Sequence, residues 1–358
     1  MDRRKKIINL SITAIIVLAI ILGFYLCLVL RKDNSLSNKK IKIGLLIAQT
    51  GFGSDFGQSE KAVIPLLQEM YGDKVQFILE DSKSDAAKGV VAARKLLDVD
   101  NVDMIYCDLT SVANAISPIL KNSRKILMAA VYLENLTKDN QFAIRNIPNA
   151  KDESKLLFRF FSEKHRGGKI LLVGSNDEFG RGAVSASKSL LNEFGLVLAG
   201  IDTIPEDLSL IASFAEKIVK SAPDGVYIGS MAASMGIFIK ELRARGYKGI
   251  ILTTDAFSYD YILNAAGKSA QSVVYVDFPQ TDEFHLITKK LKGKNVTPAS
   301  ILMYDGIRMY LDRIHLETYS RSDMNIKDLV CQITGVYGNT KLVKQEMKYP
   351  LVLVNADR

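Results

Sequence analysis

Residues 41–58 read IKIGLLIAQTGFGSDFGQ, and their order decides the fold. The first half, Ile41 to Ala48, is short, apolar and branched, which suits a strand buried on both faces. The second half, Thr50 to Gly57, holds three glycines, a serine and an aspartate and reads as a loop. A helical pattern follows, with Ala62, Val63, Leu66, Leu67 and Met70 on one face, and Pro65 is expected to kink or shorten it. A strand, a glycine-rich turn and a helix in this order open a parallel α/β sheet, whose ligands gather at the carboxyl ends of the strands. The Thr50–Gly57 loop is therefore the first candidate binding surface.

The alternation continues outward. Val75 to Leu79, Val102 to Tyr106 and Lys125 to Val131 read as strands. Between them, Asp85 is placed to cap one helix, and Ser111 to Asn122 forms another despite Pro118. A polar crossing follows, Thr137 to Pro148. The pattern then restarts with a helix from Asp152, the buried strand Lys169–Val173 and a second polar glycine turn, Asn176 to Gly182. Further strands are expected at Val197–Thr203, Asp224–Gly229, Gly249–Thr253 and Val273–Val276, with helices between. The two halves echo each other: Asp55-Phe56-Gly57 opens one and Asp177-Glu178-Phe179-Gly180 the other. Two lobes with facing carboxyl edges would line a cleft with both phenylalanines; alternatively, both rings plug lobe cores.

The bulk numbers narrow the function. A chain of 358 residues accommodates two domains at roughly 100–200 residues each. Of the net charge of +8, residues 1–40 carry +6, from Arg3, Arg4, Lys5, Lys6, Arg31, Lys32, Lys39 and Lys40 against Asp2 and Asp33. The remaining globular part is nearly neutral, so nucleic acid is not an expected partner. The cysteines, Cys27, Cys107 and Cys331, form no C-x-x-C, and the three histidines, His165, His285 and His315, do not cluster with them, so no metal site is expected.

Ile7 to Leu30 is a run of 24 residues without a charge. As a helix it would span about 36 Å, enough to cross a hydrocarbon core of about 30 Å. Four basic residues precede it, which favours a cytoplasmic N-terminus. Its apolar core exceeds the roughly 7–15 residues of a cleaved signal, and Tyr25-Leu26 before Cys27 does not fit a lipoprotein signal. The expectation is an uncleaved single-pass anchor in the cell membrane, with residues 31–40 as a polar tether and the globular part outside the cytoplasm.

Five stretches together resemble a known family. They are IKIGLLIAQTGFGSDFGQ, DSKSDAAKGVVAARKLL (Asp81–Leu97), KILLVGSNDEFGRG (Lys169–Gly182), PDGVYIGSMAASMGIFIKELRARGYKG (Pro223–Gly249) and MYDGIRMYLDRI (Met303–Ile314). In this order they are similar to the extracytoplasmic solute-binding proteins of branched-chain amino-acid ABC transporters, the type I periplasmic binding proteins. The resemblance covers roughly residues 41–353. It implies two doubly wound Rossmann-like α/β lobes with a ligand cleft and three crossovers, preceded here by the transmembrane helix. Lobe 1 would comprise 41–150 plus 281–333, and lobe 2 would comprise 151–280 plus 334–358.

The family closes around a small ligand, needs no cofactor and is not enzymatic. Its matched positions place Thr110, with Ser111 beside it, on a ligand carboxylate, and Asp255 on the ammonium. Phe56 and Phe179 match cleft aromatics, and Met231 a ligand-loop side chain. The second hydroxyl of the carboxylate clamp is missing, because Ala130 and Val131 stand where it would be. Asp108 would repel a carboxylate if it faces the cleft; otherwise it is a solvated loop acid or a helix cap. These departures favour an amino-acid relative or another partly cationic or apolar molecule. The expected partners are that small molecule, an ABC permease or a sensor, and the membrane.

Three rivals remain open at this point. A sensor component would keep the fold and change the job. A degenerate member would act through protein contacts. An NAD-dependent enzyme would use Gly51-x-Gly53-x-x-x-Gly57 as a dinucleotide loop and Asp81 as the ribose acid, although the third glycine is one residue late and Asp81 too distant.

Overall fold

The computed structural model describes residues 40–132, 135–292, 294, 296–315 and 326–355. The expected span at 7–30 lies outside the described residues. Among those described, no helix is long and apolar enough to cross a membrane.

The chain begins β1 (Ile41–Ile47), α1 (Ser54–Tyr71), β2 (Val75–Asp81), α2 (Ala86–Arg94), β3 (Met104–Cys107), α3 (Thr110–Ser123) and β4 (Ile126–Ala129), followed by α4 (Asn135–Asp139) and β5 (Ala143–Arg145). These strands lie parallel in the order β2-β1-β3-β4-β5. Then come α5 (Ala150–Lys164), β6 (Lys169–Gly174), α6 (Glu178–Lys188), β7 (Val197–Thr203), α7 (Ile211–Ser221), β8 (Gly225–Gly229), α8 (Ala233–Ala244), β9 (Ile250–Thr253), α9 (Asp260–Ala266) and β10 (Val273–Asp277). This second sheet runs β7-β6-β8-β9-β10, the same order one unit later, so the echo in the sequence is a repeat of topology. Strands buried on both faces explain the apolar runs: β1 has five buried residues in a row, and all of β8 is buried.

The chain then returns. α10 (Asp282–Lys290) and α11 (Pro298–Met309) pack on the first sheet, where Ile301, Met303 and Ile307 share a core with Ile43 and Leu45. β11 (Cys331–Gly335), β12 (Gly338–Val343) and β13 (Glu346–Lys348) extend that sheet past β5, and β14 (Val352–Asn355) joins β10 antiparallel. Three passages link the lobes: after β5, after β10 and after β13.

Three expectations need correction. Residues 334–358 do not all belong to the second lobe, since β12 and β13 pair within the first sheet. The side chain of Gln345, 1% exposed, fixes them there by donating to the carbonyls of Asn140 at 2.8 Å and Ala143 at 2.6 Å. α1 is not shortened by Pro65 but runs through it. Lys61 and Pro65 both lie on its exposed face, so water can serve the carbonyl that loses its donor. The polar crossing at 137–148 hides a three-residue strand, β5, too short to carry a period.

β5 ends at a buried charge. Arg145 is wholly inaccessible, pairs with Glu346 at 2.8 Å and donates to the Tyr132 carbonyl at 3.1 Å. It ties the first and third passages to the loop that follows β4.

Candidate functional site

The carboxyl edges of the two sheets face each other across a cleft of about 670 Å³. The first wall begins with the loop after β1. Asp81, at the end of β2, binds this loop: Oδ1 accepts from the amides of Gln49 at 2.9 Å, Thr50 at 3.3 Å and Lys83 at 2.8 Å, and Oδ2 accepts from the Thr50 hydroxyl at 2.8 Å. Those bonds hold its carboxyl below the usual range despite a partial burial cost. The acid that a dinucleotide reading would assign to a ribose is thus committed to shaping the loop.

Helix α1 starts against the end of β1. A Cβ on Gly57 would lie 2.0 Å from the Ala48 carbonyl oxygen, so only glycine permits this approach. One residue earlier, Phe56 crosses the cleft and meets Tyr259 of the second lobe edge-on, with ring centroids 5.4 Å apart. The second lobe repeats the device. A Cβ on Gly180 would lie 2.3 Å from the Ser175 carbonyl oxygen, and Phe179 meets Tyr132 of the first lobe at 4.2 Å. Both phenylalanines line the cleft and pack on the apolar cluster of the second lobe. Such pairs are worth about 0.5–1.5 kcal/mol each beyond burial, and here they join the lobes.

Eight of the nine residues expected at the site line this cleft: Phe56, Asp108, Thr110, Ser111, Ala130, Phe179, Met231 and Asp255. Val131 does not. It is fully buried in the core between α3 and the first sheet, because the chain turns after β4 and sends alternate residues to opposite sides. Thr110 and Ser111 open α3, whose cap residue Leu109 offers no side-chain acceptor. The Met231 carbonyl accepts from the Tyr261 hydroxyl at 2.6 Å, which sets the loop after β8.

Asp108 is neither a solvated loop acid nor a helix cap. It is 8% exposed, and its Oδ2 accepts from the Ala48 amide at 2.7 Å. Burial, with Asp81 nearby, pushes its carboxyl up to about 7. Beside it lies Glu60, which the sequence reading did not single out. Glu60 is fully buried and takes a hydrogen bond from the Tyr106 hydroxyl at 2.8 Å. Burial and the charge of Asp108 raise its carboxyl well above the ordinary value.

The second lobe carries a matching pair. Asp255, after β9, is pushed up to about 7 by burial and by Asp277. The fully buried Glu153, in the first turn of α5, accepts from the Asp255 amide at 3.2 Å. Burial and Asp255 raise its carboxyl well above the ordinary value. With Asp55, Asp177 and Glu178 at the rim, seven carboxylates line the cleft, and no Lys, Arg or His is among the described lining residues. Four cations of the second lobe gather away from the cleft: Lys164, Arg243, Lys248 and Lys268 surround a depression of about 590 Å³ at its opposite edge, where β9 and β10 begin.

One of the missed acids left a sequence signal: Glu60 is four residues after Phe56 on α1 and so shares its face. Glu153 left none, since an acid in a first helical turn is ordinary capping chemistry.

A family model described as periplasmic binding protein matches residues 40–314. A Leu/Ile/Val-binding protein homolog of Brucella melitensis is 18% identical over 307 residues, covering 82% of this chain and 81% of its own length. A solute-binding protein of an ABC transporter from Rhodopseudomonas palustris, solved with 3,4-dihydroxybenzoic acid, is similar with a TM-score of 0.75 at 19% identity, over 88% of this chain and 92% of that one. The branched-chain amino-acid transporter substrate-binding protein of Streptococcus pneumoniae, solved with isoleucine, is similar with a TM-score of 0.73 at 16% identity, over 89% and 97%.

Proposed function

We propose that this chain, which belongs to the periplasmic binding protein family, closes its two lobes on a small molecule bearing a protonated amine and delivers it to an ABC permease. Members of the family bind solutes and hand them on rather than transform them. One observation carries the choice of ligand: seven carboxylates and no cation line the described cleft. An ammonium restores to Asp255 and Glu153 the charge that burial takes from them. Phe56, Phe179, Tyr132 and Tyr259 supply walls for an apolar body, and cations also gain directly from such rings. An amino acid or a related amine fits this lining. Residues 7–30 anchor the protein in the cell membrane, with the lobes outside the cytoplasm.

Thermal unfolding of the full chain against amino acids, amines and carboxylic acids tests the ligand class. An amine at about 100 times its dissociation constant adds about 2.7 kcal/mol of stability and raises the midpoint visibly. Stabilisation by carboxylic acids alone refutes the amine. Release of the intact protein from membranes by an alkaline wash refutes the anchor.

A further inference from the structure

An α-amino acid presents one charge of each sign. The cleft presents a buried acid pair on each lobe. On the first lobe, Glu60 is fully buried and Asp108 is 8% exposed. One oxygen of each is used: Glu60 Oε1 holds the Tyr106 hydroxyl, and Asp108 Oδ2 the Ala48 amide. The other oxygens, Glu60 Oε2 and Asp108 Oδ1, have no hydrogen-bond partner among the described residues. On the second lobe, Glu153 Oε2 holds the Asp255 amide, while Oε1 makes no well-formed bond. Buried polar atoms are almost always satisfied, so three orphaned carboxylate oxygens around one cavity call for donors from a ligand.

The position of the first-lobe pair decides between ligands. A carboxylate held at the start of α3 would sit two residues from Asp108. The helix end offers about half a positive charge, whereas Glu60 and Asp108 together carry up to two negative ones. Tyr259 lines the same cleft and lies within electrostatic reach of one acid from each lobe, Asp255 and Glu60. The carboxylates are not gathered for an inorganic ion: among the described residues, no group of three or more His, Cys, Asp or Glu is arranged to hold a metal.

We propose, resting on the amine reading above, that the ligand is a diamine or polyamine without a carboxylate. One ammonium sits with Glu60 and Asp108, the other with Glu153 and Asp255, and the alkyl stem runs along Tyr259 and the Phe179–Tyr132 pair. Each ammonium brings up to three N–H donors, which meets the orphaned oxygens on both lobes. Because each lobe holds one end, the same ligand draws the lobes together.

Titration calorimetry of the full chain with 1,6-diaminohexane, spermidine, hexylamine, isoleucine and benzoate provides the test. A diamine or the triamine is expected to bind at least tenfold more tightly than hexylamine and than isoleucine. Protons are expected to be released on binding, with affinity rising between pH 6 and 8, because the ammonium ionises acids that burial keeps protonated. The groups facing the first-lobe pair are Tyr106 and Asp81, and those facing the second-lobe pair are Asp277, Asp152, Tyr227 and, from the first lobe, Tyr132, none of them cationic. Asp108→Asn is expected to cut diamine affinity at least tenfold and shrink its advantage over hexylamine. Isoleucine binding more tightly than every polyamine, or hexylamine matching the diamine, or proton uptake on binding, overturns the dication and leaves the amine reading standing. Benzoate binding alone overturns both, as does no binding at all. The ligand series on the unaltered chain decides the matter even if the variant fails to fold.

Discussion

The two lobes build their cleft edges with one backbone device and two different sets of acids. In both, a glycine seats the first helix against the end of the first strand, at Gly57 and Gly180, and the preceding phenylalanine reaches the opposite lobe. The acids do not repeat. Asp108 follows the third strand of its sheet and Asp255 the fourth of its own. The third strand of the second lobe is followed by Ser230 and Met231, and the fourth of the first by Ala130. Glu60 comes from the first helix, Glu153 from the helix that enters the second lobe. The backbone device is therefore inherited by topology, while negative charge is placed on each lobe separately. A feature arrived at by two routes points to a shared requirement, which the amine ligand proposed above would supply.

The largest effects break the shared device. Gly57→Ala puts a methyl group 2.0 Å from a backbone oxygen, and Gly180→Ala puts one 2.3 Å from another. Backbone cannot step aside as a side chain can. Each substitution is expected to cost about 3 kcal/mol or more in denaturant unfolding, with Gly57 the worse. A tolerant Gly180 would show that the two lobes are not built alike.

The next effect separates the acids from the device. Asp108 and Asp255 have folded values near 7 against an ordinary 3.8. A raised acid binds more protons folded than unfolded, so its contribution is full below about pH 4 and is lost as pH rises through 7. The ligand-free protein should lose stability over that window. Asp108→Asn or Asp255→Asn should flatten the loss by about 2 kcal/mol each, below the roughly 4 kcal/mol that such a shift allows, since coupled acids relax together. Chemical unfolding at pH 5 and pH 8 measures it, and equal slopes in variant and parent would remove the buried charge from the account.

Smaller again is the effect of the cross-cleft rings. Phe56→Ala and Phe179→Ala each delete one inter-lobe aromatic pair, worth about 1 kcal/mol, so each should weaken ligand binding about fivefold. Phe179, at 4.2 Å from its partner against 5.4 Å for Phe56, should matter more.

The same contrast explains what the sequence disclosed. The strand, glycine turn and helix at 41–71 and again at 169–188 were legible, because close approach demands glycine and buried strands demand branched residues. Eight cleft residues were legible through their place after a strand or beside those glycines. Val131 was misplaced because only one of the two residues after β4 can face the cleft, and two small apolar neighbours, Ala130 and Val131, do not disclose which. β12 and β13 were misassigned because sheet membership at a chain end rests on contacts such as Gln345 to Asn140 and Ala143, some two hundred residues apart. Glu60 and Glu153 were missed because an acid on an amphipathic helix reads as solvated. Only their burial shows otherwise.

The smallest expected effect discriminates most sharply between ligands. Thr110 opens α3 at the first-lobe edge, where a carboxylate clamp would need its hydroxyl. Thr110→Val keeps the shape and removes the hydroxyl. If the ligand carries a carboxylate there, the lost bond is to a charged group, worth about 1.5–3 kcal/mol, and affinity falls more than tenfold. If an ammonium meets Glu60 and Asp108 instead, the hydroxyl is one weak acceptor beside two acids, and the change stays within about threefold. Calorimetry with the tightest-binding amine on the Thr110→Val and Asp108→Asn variants therefore ranks the two contributions. A Thr110 effect larger than that of Asp108 would mean that the first lobe recognises an anion after all, and that the two lobes divide the ligand by sign rather than share it.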